Sequence, residues 1–94
     1  MRRLWKLGIP VGPGVFEVNS PQGAILLSVA WVKEAPAIYA ECNPSAPFGK
    51  RCFVVIGTGD WVPRAADRLS SLPYVGTYLV GRYVWHIYDK GEVQ

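Results

Sequence analysis

A mainly antiparallel all-β fold, built as a small sandwich or partly open barrel of about seven strands with one short helix or helical loop, is what this sequence predicts. Three observations carry the prediction. Apolar and polar residues alternate with period two along most of the chain. Turn signals rich in glycine and proline recur at the spacing of roughly 8–12 residues typical of small β proteins. Only residues 63–73 shift to helical spacing.

The elements follow in order. "LWKLGI" (4–9) sets Trp5, Leu7 and Ile9 on one face and Lys6 on the other. "VGPG" (11–14) turns the chain, and "VFEV" (15–18) alternates again, Phe16 and Val18 against Glu17. After the turn "NSPQG" (19–23) comes "AILLSVAWV" (24–32). Ile25, Leu27, Val29 and Trp31 share one face there, and Leu26, Ser28, Ala30 and Val32 the other. With both faces largely apolar, this run predicts a central strand. "KEAP" turns the chain into "AIYAEC" (37–42), and "NPSAPFGK" (43–50) reads as a loop before the β-prone "RCFVVI" (51–56). In "PRAADRLSSLP" (63–73), Ala65, Ala66, Leu69 and Leu72 fall at helical spacing. Pro63 is placed to open a helix and Pro73 to stop it. Two forms fit: a helix of two or three turns, and a compact loop. "YVGTYLV" (74–80) and "YVWHIYD" (83–89) form a final hairpin around a two-residue turn, Gly81-Arg82.

With 94 residues the chain is one domain, 1–94, with a single modest core. Half of it is apolar and 18% is charged, a globular composition. No apolar run approaches the roughly 20 residues of a membrane-spanning helix. The arginine-bearing start has no apolar leader segment, so the expectation is a cytoplasmic protein with no membrane partner. The net charge of +3 is mild and its cations are scattered, unlike the dense basic stripe of a dedicated duplex-DNA binder. Two cysteines, Cys42 and Cys52, and one histidine fall short of a four-ligand metal set. Neither a metal nor a cofactor is expected; the cysteines read as reduced, buried thiols, with a disulfide as the alternative if they face each other across a hairpin.

"VVIGTGDWVP" (54–63) raises the question of a phosphate loop. Gly57, Thr58 and Gly59 have the backbone freedom for a phosphate contact. The third glycine of a dinucleotide fingerprint and the lysine of a Walker loop are missing, and Asp60 repels an anion. The segment therefore reads as a strand end in which glycine supplies a turn or a bulge. Arg64 and Arg68 would lie one turn apart on one face of a helix, suited to an anion or an acidic partner. His86, the sole histidine, has no acid or nucleophile singled out by spacing. Twelve residues are aromatic. Trp31, Phe53 and Trp85 are assigned to the core, while Trp61, Tyr39 and Tyr83 fall at surface positions. Aromatics beside arginine are what protein interfaces use, and single-stranded nucleic-acid platforms also.

"PQGAILLSV" (21–29), "NPSAP" (43–47), "FVVIGTG" (53–59), "YVGT" (74–77) and "VWHIY" (84–88), in this order and spacing, resemble a family of small proteins of actinobacterial phages and prophages, a domain of unknown function. Its members often carry a histidine at the place of Asp60 and a tryptophan at the place of Tyr39. The resemblance implies a phage or prophage origin and no mechanism.

The expected function is non-catalytic binding to a host or phage protein, with antagonism of a host or defence protein as one form, by a homo-oligomer that covers its own sheet edges. Asp60, Trp61, Arg64 and Arg68 are the candidate binding surface, and Arg82, Tyr83 and His86 a second patch. A nucleic-acid-binding barrel using Lys50, Arg51, Arg64, Arg68 and Arg82 is the less favoured alternative. An oligomeric binder of a small nucleotide is a further one, and no constellation supports an enzyme.

Overall fold

The structure, a computed structural model, describes residues Met1–Gln94. Seven strands form: β1 (Arg3–Gly8), β2 (Gly14–Pro21), β3 (Ile25–Val32), β4 (Ala35–Cys42), β5 (Phe48–Gly57), β6 (Tyr74–Val80) and β7 (Tyr83–Glu92). They make two sheets, β1-β4-β3 and β2-β5-β7-β6, and every pairing is antiparallel. The sheets are not closed into a barrel, in keeping with the sandwich or partly open barrel expected from the sequence. The core lies between them. Leu7, Ile38, Ala40 and Cys42 come from the smaller sheet, and Phe53, Val55, Tyr78 and Ile87 from the larger.

Strand β3 departs from its sequence reading. It is an edge strand, and β4 takes the centre of the smaller sheet. A bulge between Leu26 and Ser28 exchanges the faces. Leu26 pairs with Ala40 and Val29 with Ile38, both fully buried, so Leu26 and Val29 point inward together. Ile25 and Leu27 are left outside, each 53% exposed. The apolar second face that predicted a central strand is thus a solvent-facing one. Trp31, assigned to the core, lies at its margin, 36% exposed, with its ring stacked on Tyr78 at 5.7 Å. Phe53 is fully buried as expected, and Trp85 packs against the core cluster.

The β3–β4 hairpin turns on Lys33 and Glu34, both with positive φ (49° and 68°). A two-residue turn with this backbone favours Asn-Gly, because side chains at left-handed positions crowd the backbone. Replacing the pair by Asn-Gly is expected to stabilise the protein by about 1 kcal/mol. A urea midpoint that rises with an unchanged m-value checks it.

Strands β5 and β6 both run antiparallel to β7, hence parallel to each other. Residues 58–73 must therefore carry the chain back along the sheet as a crossover. They do so as two 3-10 turns, Arg64–Ala66 and Leu69–Ser71, and not as one helix. Asp67, with φ 58°, breaks the run between them. On β5, Phe53 and Val55 point into the core, so Val54 and Ile56 point to the outer face of the larger sheet. These two are nonetheless buried, and so is Ala66 of the crossover, and none of the three belongs to the core cluster. Trp61 and Pro63 of the crossover border the same depression as Ile56, and we infer that the crossover covers this face.

One ion pair locks β5, β7 and the entry to β3. Arg51 donates to both carboxylate oxygens of Asp89 (Nε to Oδ1 3.1 Å, Nη2 to Oδ2 2.6 Å), and its Nη1 donates to the Ala24 carbonyl at 2.7 Å. Asp89 Oδ1 also accepts the Gly91 N–H at 2.8 Å, which shapes the bulge where Phe53 pairs with Asp89 and Cys52 with Gly91. The hydrogen bond to Asp89 holds the guanidinium pKa above its already high ordinary value, against the opposing effect of burial. Arg51 is thus a structural residue, not the surface cation that the nucleic-acid reading needed.

Cys42 and Cys52 are free and buried on strands of different sheets. Burial raises the Cys52 thiol pKa, and burial raises the Tyr78 phenol, opposed by the Gly12 N–H that donates to its oxygen. Both folded-state values lie above the unfolded ones. The stability they contribute is full below the ordinary thiol and phenol range, about 8.5 and 10, and is lost as pH rises through the folded values. Urea midpoints are expected to hold from neutrality to about pH 8.5 and then fall. A Cys52→Ala variant should show a shallower fall.

Candidate functional site

The β5 strand ends on the quoted glycine turn. Gly57 carbonyl accepts the Asp60 N–H at 3.0 Å, and Asp60 Oδ2 accepts the Gly57 N–H at 2.9 Å. Gly59 takes φ 91°, a position that glycine occupies without strain. Thr58 N–H donates to the Val84 carbonyl at 3.2 Å. Two of the three amides offered to a phosphate are therefore occupied, one of them by a carboxylate, and Gly59 N–H is left. The turn is a self-closed strand end. A side chain at Gly57 would meet Trp85 and Asp60 at 2.9 Å, so glycine there lets the indole lie against the backbone.

One residue of the first patch read from the sequence, Asp60, meets two of the second, Arg82 and Tyr83. A cleft of about 450 Å³ is lined by Gly57, Thr58, Asp60, Arg82, Tyr83, Val84 and Trp85. Asp60 also borders a neighbouring depression beside Trp61, Pro63 and Ile56. Gly81, at φ 58°, makes the two-residue turn that presents Arg82 and Tyr83, and Tyr83 stacks on Trp85 at 6.0 Å. Trp61 stands 96% exposed at the start of the crossover. Arg64 and Arg68 are exposed further along it, carried by separate turns and not by one helical face.

His86 is partly buried on the outer face of β7, with hydrogen-bonding partners that the sequence did not mark. Its Nε2 lies 2.8 Å from Thr58 Oγ1 and its Nδ1 lies 3.1 Å from Thr77 Oγ1. The Tyr74 hydroxyl binds Thr77 in turn. Thr77 pairs with His86 across β6 and β7, so strand register supplies one contact, and the glycine turn supplies the other. A search for acids and thiols around the histidine passes over both, because its partners are hydroxyls.

Fold and site together define a small two-sheet antiparallel β-sandwich with a surface site built by one crossover and one hairpin turn. The whole chain, residues 1–94, matches DUF7352, a domain of unknown function, and the protein belongs to that family. No curated protein and no solved structure matches it. No helix is long and apolar enough to cross a membrane.

Proposed function

We propose that this protein acts by non-catalytic binding, as a phage or prophage accessory protein that docks on a host protein. Antagonism of a host or defence protein is the form this reading favours. The observation that carries it is Trp61, a nearly bare indole on the crossover, with Asp60 beside it and Arg64 and Arg68 downstream. A large aromatic held in water makes little contribution to the fold, whereas tryptophan and arginine dominate the energetics of protein interfaces. The fitting partner offers an apolar pocket for the indole and carboxylates for the two arginines. Self-association belongs to a different surface. Leu4, 65% exposed, and Ile25 both pair with Glu41 across the smaller sheet and lie on its outer face near Leu27.

The test is affinity capture from the host with the parent protein and with Trp61→Ala, quantified side by side. A host protein whose recovery falls at least tenfold with Trp61→Ala, at an unchanged melting midpoint, is expected. Identical sets of captured proteins would contradict the assignment.

A further inference from the structure

One cluster beside the docking surface is wired beyond what a binder needs. His86 has both ring nitrogens engaged by threonine hydroxyls, and the chain Tyr74–Thr77–His86–Thr58 runs across the outer face from the first residue of β6 to the residue after β5. Thr58 is exposed and forms part of the wall of the cleft, which Arg82 also lines. Gly59 N–H, next in sequence, makes no hydrogen bond within the chain.

We propose that Thr58 is a nucleophilic hydroxyl activated by His86, and that the cleft accepts an activated carboxylic ester with a short acyl group. This goes beyond the docking function and does not depend on it. Two geometric requirements of acyl transfer are met. The hydroxyl and the base lie at hydrogen-bond distance. The far ring nitrogen is held by Thr77, itself fixed by Tyr74. When Nδ1–H donates to Thr77 Oγ1, Nε2 offers its lone pair to the Thr58 hydroxyl proton. Beside them, the amide after the nucleophile carries no other hydrogen bond and so remains available to a developing oxyanion, and Arg82 lines the cleft that Thr58 lines.

The step balances without a further reactant. Thr58 Oγ1 bonds to the ester carbonyl carbon while its proton passes to His86 Nε2. The carbon–oxygen bond to the leaving alcohol then breaks, and the imidazolium returns the proton to that alcohol. An ester of Thr58 and one free alcohol remain.

The full chain is treated with p-nitrophenyl acetate at neutral pH and followed by intact mass and peptide mapping. One acetyl group on Thr58 is expected, formed at least about 100-fold more slowly in His86→Gln. Thr58→Ser and Thr77→Ser should keep the reaction, and Thr58→Val and Thr77→Val should lose most of it. Thr58→Val is close to isosteric at an exposed position, so its fold is secure and its melting curve verifies this. Acetyl groups confined to lysines and the amino terminus, at rates equal in the parent and Thr58→Val, would overturn the proposal. The four residues would then be only a latch joining the two ends of the crossover, and the docking reading would stand untouched.

Discussion

Asp89→Ala is expected to lower stability by about 3–5 kcal/mol, the cost of leaving one partner of a buried ion pair alone. The side chains of Arg51 and Asp89 are only 13% and 10% exposed. Removing the carboxylate strands a guanidinium that also reaches the Ala24 carbonyl, and it frees the Gly91 amide that shapes the β7 bulge. Against a total stability of about 5–15 kcal/mol for a domain, such a loss leaves the chain close to unfolding at room temperature. The paired replacement Arg51→Met with Asp89→Leu removes both charges at once and should recover much of the loss, because the desolvation cost disappears with the attraction. Urea midpoints for the parent, the single variant and the double variant give the coupling directly. A single variant within about 1 kcal/mol of the parent would mean that the pair contributes no more than an exposed one. Because the arginine pKa is raised from an already high value, this contribution should not vary across the neutral range.

Phe53→Ala should cost about 3–5 kcal/mol, and Val54→Ala about 2 kcal/mol, although the two residues point to opposite faces of β5. Phe53 fills the centre of the sandwich and opposes Phe16 across the β2–β5 pair. Val54 is on the outer face, where an uncovered valine would be cheap to truncate. We attribute its complete burial to the crossover. The second value therefore tests the lid: a Val54→Ala loss below about 0.5 kcal/mol would show that residues 58–73 do not pack on the sheet. Chemical denaturation of both variants, with m-values checked for constancy, reads the effect.

The alternation of residues along β1, β2, β4 and β7 placed those strands directly, since period-two burial is a local property of the chain, and β6 was placed as the hairpin partner of β7. The Gly81-Arg82 turn was legible for the same reason. Strand β3 was not, because a bulge is set by pairing with β4, and one extra residue at Leu27 reverses which side chains face inward. The ends of β2 and β5 also ran past their expected limits, to Pro21 and back to Phe48, because Pro21 and Phe48 find each other across the sheet in spite of their turn-like neighbours. The helical spacing of 63–73 was real but was overridden at Asp67, whose left-handed backbone splits the segment. At the site, the sequence marked Asp60, Trp61, Arg82 and His86 by residue type. It did not mark Thr58 and Thr77 as the partners of His86, since the Thr58 contact spans 28 positions and hydroxyls are too common to signal alone. Asp89 as the partner of Arg51 was hidden in the same way by a separation of 38.

Recognition by the crossover side of the larger sheet is the claim on which the functional account rests. Hydrogen–deuterium exchange of the protein, free and bound to the partner recovered by capture, tests it most directly. New protection is predicted at residues 57–68 and 82–86, with the strands of the smaller sheet unchanged. Protection centred instead on Leu4, Ile25 and Leu27 would place the binding face on the opposite sheet and contradict the account.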